Sequence, residues 1–195
     1  KYKMSTIGVL GGSFDPVHNA HLEIARKAFD EFGLDLVIFV PAYLPPHKKK
    51  LEVSDEHRLN MISLCIESNP KFLLDKFEIE SKKIIYSFQT LDYLQNKYSG
   101  NSIKLIIGSD TFNQLNTWEK PDYIAEKYGF LVMKRPNIII DLSSKYCRFS
   151  LFSQILTEDI SSTQIRKKIK NKEDVAGYIP KKVLNYIKDR NLYGK

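Results

Sequence analysis

Residues 11–21, Gly-Gly-Ser-Phe-Asp-Pro-Val-His-Asn-Ala-His, lie between an apolar stretch and an amphipathic one. Two glycines before a helix start let backbone N–H groups approach an anion closely, and the helix end adds a partial positive charge. His18 and His21 are three residues apart, so both imidazoles project from one face of the first helical turn. Glycines, helix dipole and paired histidines converge on one point, and that combination suits a polyphosphate. Gly11, Gly12, Ser13, Phe14, His18 and His21 are the first candidate site residues.

The flanking elements must hold this loop in place. Thr6-Ile-Gly-Val-Leu10 is an apolar run ending at glycines and reads as a buried parallel strand. Leu22, Ala25, Phe29 and Phe32 then recur at helical spacing, Gly33 supplies the stop, and Leu36–Val40 is a second strand. Strand, helix and strand around a tight glycine turn form a βαβ unit, the start of a Rossmann-like, doubly wound, mostly parallel α/β sheet.

Farther along, residues 41–54 form a loop holding three prolines, His47 and Lys48. A helix over 55–68 follows, with Leu59, Ile62, Cys65 and Ile66 inward. The pattern predicts strands at Phe72–Ile79, Ile103–Ile107 and Gly129–Met133, and helices at Ser87–Tyr98 and Pro121–Lys127. Between 137 and 160 the pattern is weak, with Ile138–Ile140 and Arg148–Leu151 as short strands. Ser161-Ser-Thr-Gln164 has capping-box spacing, and a last helix near 180–190 completes a small C-terminal helical part. Nothing marks a domain boundary, so residues 1–195 read as one domain.

In a doubly wound sheet, ligands bind beyond the carboxyl ends of the strands. That rule gathers the loops 11–21, 41–48, 108–118 and 134–136 at one edge, with the helix start at Ser161 able to join them. Each loop also has a plainer reading. Asp15-Pro16 serves as an ordinary turn and helix start, Asp110 as a helix cap, His47-Lys48 as solvated loop, and Trp118 as a core anchor. A zinc site on His18, His21 and His47 is disfavoured, because the helix pair is spaced i, i+3 and no cysteine is near.

Composition sets the outer limits. With 195 residues, 43% of them hydrophobic, the chain can bury a substantial core. No apolar run approaches the ~20 residues of a membrane span, and no secretory leader is read; Lys1 precedes Met4, so the first residues read as a trimmed or added end. Cys65 and Cys147 are far apart and read as buried thiols of a cytoplasmic protein. The net charge of +7 comes mostly from lysine, which suits general attraction for anions more than base reading. No nucleic-acid recognition motif stands out, and a homo-oligomer is compatible with the chain.

The segment from Gly11 to His21 resembles the first signature of the nucleotidylyltransferase superfamily. Ile160-Ser-Ser-Thr-Gln-Ile-Arg166 resembles its second, I-S-S-T-x-I-R. With Pro46-His-Lys48, Tyr86-Ser87, Gly108-Ser-Asp110, Trp118 and Lys134-Arg-Pro136 in the same order, the chain resembles the bacterial nicotinate-nucleotide adenylyltransferases from about Ile7 onward. The resemblance implies ATP and nicotinate mononucleotide as partners, with Mg2+ carried mostly by the nucleotide phosphates and no metal site on the protein. It places Gly11, Gly12, Ser13 and Phe14 along ATP, with His18 and His21 on its phosphates. Ile160, Ser162, Thr163 and Arg166 lie across the triphosphate, and Gly108 and Asp110 border the nucleotides. Lys48, Ser87, Asp110, Trp118 and Arg135 face the acceptor, with Trp118 stacked on the pyridine ring. His18, His21, Lys48 and Arg166 are the implied catalytic groups. Two positions depart from the family pattern: Ala20 stands for the usual Gly, and Ser109 for the commoner Ala.

Rival readings are phosphopantetheine adenylyltransferase, a nicotinamide-mononucleotide-preferring relative, and a non-catalytic nucleotide sensor or RNA-binding protein. His18 and the chain length argue against the first. The retained histidines, Lys48 and Arg166 argue against the last.

Overall fold

The computed structural model describes residues 4–46, 50–154 and 160–194. Six strands form one wholly parallel sheet in the order β3-β2-β1-β4-β5-β6. They are β1 (Thr6–Gly12), β2 (Leu36–Pro41), β3 (Phe72–Leu74), β4 (Ser102–Gly108), β5 (Phe130–Lys134) and β6 (Ser150–Gln154). The helices are α1 (Asn19–Glu31), α2 (Asp55–Ile66), α3 (Phe77–Ser81), α4 (Ser87–Lys97), α5 (Ser109–Phe112), α6 (Pro121–Lys127), α7 (Ser162–Lys170) and α8 (Lys181–Asp189). This is the doubly wound architecture expected from the βαβ start, with α7 and α8 as its C-terminal helical part.

Both faces of the sheet are covered, so the alternation of side chains along each strand divides the core in two. Leu10, Val37, Phe39, Ile106, Leu131 and Met133 point to one side with residues of α1, α2, α7 and α8. Ile7, Val9, Ile38, Val40, Leu105, Ile107 and Val132 point to the other, with α4 and α6. The strand order reverses between β1 and β4, whose registers pair Leu10 with Ile106. A crevice at the carboxyl ends of those two strands is therefore the place this topology offers a ligand.

Three sequence expectations fail for local reasons. The strand begun at Phe72 stops at Leu74, because Asp75 turns the chain. Its N–H bonds Phe39 O at 2.9 Å, its Oδ1 accepts the Phe77 N–H at 2.9 Å, and Lys97 anchors its other oxygen at 2.8 Å. Ile138–Ile140 is not a strand. Asn137 adopts φ +66°, and the Asn113 side chain takes both the Ile139 carbonyl (2.7 Å) and the Asp141 N–H (3.1 Å). Residues 145–149 form a 3-10 turn behind the Ser144 cap, so β6 begins at Ser150 rather than Arg148. Gly33 does end α1's connection, with φ +61°. Cys65 and Cys147 are free and half-buried, not fully enclosed. Among the described residues no helix is long and apolar enough to cross a membrane.

Candidate active site

β1 ends at Gly12, and the chain then folds Phe14 back under itself at φ +48°. The Phe14 ring is buried edge-on to His21, with centroids 4.8 Å apart, and tilted against Phe39 at 5.8 Å. An added Cβ at Gly12 would lie 3.3 Å from that ring, so the glycine permits the fold-back. Arg58, fully buried on α2, donates to the Ser13 carbonyl at 2.8 Å and to Asp55 at 2.5 Å. It clamps the loop from below.

His18 is the N-cap of α1, with extended backbone, and His21 closes the first turn. The His18 N–H donates to His21 Nδ1 at 3.2 Å, and the rings lie 3.8 Å apart. Burial, together with the nearby Arg135 cation, drives the His18 pKa down to about 3. His21 is lowered well below its usual value by burial, by His18 and by Arg135. Both rings are therefore neutral near pH 7. Because His21 Nδ1 accepts a hydrogen bond, its proton sits on Nε2, which becomes a fixed donor. His18 Nδ1 is buried and, among the described residues, has no hydrogen-bond partner.

At the end of β4, Asp110 pairs with Arg135 Nε at 3.5 Å. The backbone N–H of Arg135 donates to Ser109 Oγ at 3.0 Å. Ser109 thus supplies a contact that an alanine at this position would lack. Arg135, expected on the acceptor side, reaches from the end of β5 to Asp110 and close enough to both histidines to depress their basicity.

The capping box at Ser161 forms as its spacing predicts: Ser161 Oγ accepts the Gln164 N–H at 3.2 Å, and Gln164 Oε1 accepts the Ser161 N–H at 2.7 Å. α7 is then bound directly to the glycine loop. Ser162 Oγ donates to the Pro16 carbonyl at 2.9 Å. Arg166 donates to the Asp15 carbonyl at 2.7 Å and to Thr163 Oγ1 at 3.2 Å. Ile160 and Ile165 are buried in the same core layer as Val17 and Phe14.

The structure thus draws residues 11–21, 108–110, 135 and 160–166 together. Ser87 opens α4, and Trp118 is half-buried against the opposite core layer, so Trp118 keeps the anchoring contacts its residue type favours. Lys48 and His47 lie outside the described residues. His57 shares a hydrogen bond with Tyr186 of α8 at 3.0 Å, away from the histidine pair. Asp15 is no ordinary turn residue: it is 1% exposed and bonded on every oxygen. Neither Asp15 nor Arg58 was read as part of the site. Arg58 carried a signal, since it stands four residues before the inward Ile62 and so shares its helix face.

Two neutral imidazoles, one of them a fixed N–H donor, two arginines and two helix starts make a donor-rich, cation-flanked crevice. It can bind an anion with several oxygens and stabilise charge that develops on it. Among the described residues no group of three or more His, Cys, Asp or Glu could hold a metal.

Comparison with known proteins places this geometry. The cytidylyltransferase-like family model matches residues 9–168. A protein of Endomicrobium trichonymphae named probable nicotinate-nucleotide adenylyltransferase is 39% identical over 192 residues, covering 97% of this chain and all of that one. The nicotinate-nucleotide adenylyltransferase of Bacillus subtilis (strain 168) is 36% identical over 191 residues, covering 97% and 99%. Among solved structures, the Plasmodium falciparum nicotinic acid mononucleotide adenylyltransferase complexed with NaAD shares the fold at TM-score 0.84. It is 22% identical, with 97% of each chain covered. The same enzyme complexed with APC gives TM-score 0.82.

Proposed function

The chain belongs to the cytidylyltransferase-like family, and we infer that it is an enzyme transferring the adenylyl group of ATP to nicotinate mononucleotide. The products are deamido-NAD and pyrophosphate, a step of NAD biosynthesis. One observation carries this reading. Two signature segments are joined by the Ser162–Pro16 and Arg166–Asp15 hydrogen bonds, across 146 and 151 residues of chain, beside a pair of neutral histidines.

The acceptor's 5′-phosphate is ionised and nucleophilic, so the reaction needs no general base. One of its oxygens attacks the ATP α-phosphorus in line, the bond from that phosphorus to the α,β-bridging oxygen breaks, and pyrophosphate leaves. The protein contributes positioning and charge stabilisation. In this reading Gly11, Gly12, Ser13 and Phe14 line the nucleotide, and His18, His21, Lys48 and Arg166 offset charge on the α-phosphate and leaving group. Ile160, Ser162 and Thr163 hold the triphosphate side, and Gly108 and Asp110 border the riboses. Lys48, Ser87, Asp110, Trp118 and Arg135 face the acceptor. The position of Arg135 beside Asp110 and the histidines favours a share in the phosphate centre as well. Mg2+ is carried in on the phosphates as part of the Mg–ATP substrate, where it neutralises their charge. That fits a protein donor set of imidazoles and cations at the phosphate centre. The same reading makes residues 1–195 one catalytic domain, working in the cytoplasm and compatible with a homo-oligomer.

The test is a pyrophosphate-release assay with Mg–ATP and each candidate acceptor, run beside an RNA-binding titration. Rapid release with nicotinate mononucleotide is expected, with nicotinamide mononucleotide and phosphopantetheine slower. No release with nicotinate mononucleotide, or faster release with another acceptor, overturns the reading.

A further inference from the structure

Asp15 is a carboxylate with 1% exposure, and such a group persists only when its oxygens are satisfied. Oδ2 accepts the backbone N–H of Glu52 at 2.8 Å, and Oδ1 accepts the hydroxyl of Tyr193 at 2.9 Å. The main-chain carbonyl of Asp15 accepts Arg166 at 2.7 Å. One residue therefore joins four separate pieces: the loop after β1, the segment preceding α2, the first turns of α7, and the turn after α8. Arg166 and Arg58 lie close enough to the Tyr193 hydroxyl to act on it electrostatically.

The turn after α8 is shaped to reach this position. Asn191 and Tyr193 both adopt left-handed backbone, at φ +49° and +64°. Non-glycine residues are strained in that region, so surrounding contacts must over-determine it. Those contacts are the Leu192 N–H to the Ile187 carbonyl at 3.0 Å, the packing of Leu192 and Tyr193 on the core layer beneath α1, and the Tyr193–Asp15 hydrogen bond.

We propose that Tyr193 is a positioning residue for ATP, acting through Asp15 to hold the glycine loop and Arg166 in one arrangement. Removing its hydroxyl leaves a buried carboxylate oxygen without its side-chain hydrogen-bond partner. Asp15 then shifts, and with it the carbonyl that holds Arg166. The turn after α8 thus sets how tightly the site grips the triphosphate, acting through its hydrogen bond to Asp15. The inference rests on the functional reading above, since ATP is the ligand it concerns.

The experiment is calorimetric binding of a non-hydrolysable ATP analogue to the wild type, Tyr193→Phe, Asp15→Ala and the double variant, with steady-state kinetics in parallel. Loss of one hydrogen bond to a charged acceptor should weaken analogue binding about tenfold in Tyr193→Phe. The KM for the pyridine mononucleotide should stay within twofold. The double variant should bind no worse than Asp15→Ala alone, because the hydroxyl then has no partner to lose. Wild-type affinity in Tyr193→Phe, strictly additive losses, or equal damage to both substrates overturns the proposal. If the wild type itself fails to bind the analogue, the functional reading falls with it, and that result is distinct from binding equal to the variant's.

Discussion

A Cβ at Gly108 would stand 2.5 Å from Asp110 Oδ1, closer than any real side chain tolerates. The same atom would lie 3.2 Å from Arg135 Nε, so this glycine is the space in which the Asp110–Arg135 pair sits. Gly108→Ala must swing Asp110 away, which costs little stability because the displaced atom ends a short side chain. We expect kcat/KM to fall roughly tenfold, the loss of about one charge-assisted contact, with denaturant stability within about 1 kcal/mol of wild type. Gly8→Ala is the contrast. Its Cβ would meet Leu34 and Ile106 methyls at 2.6 and 2.7 Å inside the core. That variant should lose roughly 1–3 kcal/mol of stability with unchanged kinetics per folded molecule. The reverse pattern in denaturant melts and steady-state assays would contradict this assignment.

His18 and His21 form one unit, since the first cannot shift without releasing its N–H from the second. His18→Ala should lower kcat by roughly 100- to 1000-fold, the range for losing one preorganised group that stabilises developing charge, while moving the acceptor KM far less. Near-normal turnover in steady-state assays would remove the histidine from its assigned role.

Stability should depend on pH through the same pair. A histidine unfolds to a pKa near 6.5, whereas His18 in the fold titrates at about 3. Between those values the unfolded state binds the extra proton, so folding stability falls as pH drops, by up to about 1.4 kcal/mol per pH unit for each such group. Glu78 works the other way. Burial between α3 and α4 pushes its pKa up to about 7, with Thr90 donating to it at 2.5 Å. Its protonated form favours the fold, so its contribution is present below an unfolded value near 4.3 and is lost as pH rises to about 7. Urea titrations from pH 4 to 8 separate the two. His18→Asn should flatten the loss on acidification, and Glu78→Gln should raise stability at pH 8 relative to pH 5. Unaltered slopes in both variants would contradict the burial-driven shifts.

Arg58 should matter twice over. It spans Ser13, Tyr43 and Asp55 with no exposed surface. Arg58→Met keeps volume but drops those bonds, and should cost roughly 2–4 kcal/mol in chemical denaturation. ATP KM should rise in the folded fraction, because the Ser13 carbonyl is no longer held. A variant as stable and as active as wild type would show the clamp to be idle.

What could be read in advance follows from where the information lies. Runs such as Leu36–Val40 and Ile103–Ile107 are locally continuous, and Ser161–Gln164 carries its capping bonds within four residues, so pattern alone located them. The strand pattern from Phe72 runs on to Ile79, past the strand's end at Leu74, because that end is set by Asp75 meeting Phe39 and Lys97, neither of them local. The sheet order that brings Gly11 and Gly108 together is set by pairings between distant strands, which no local pattern encodes. Arg58 and Asp15 escaped because buried charge is improbable by residue type, and their partners at Ser13, Glu52 and Tyr193 are 37 to 178 residues away.

The central claim is that one triphosphate occupies the crevice between the α1 and α7 starts. It is tested most directly by a crystal structure with a non-hydrolysable ATP analogue. We expect the α-phosphate within hydrogen-bond reach of His18 and His21, with the outer phosphates against Ser162, Thr163 and Arg166. An adenylate bound elsewhere, leaving those five side chains untouched, would contradict the account.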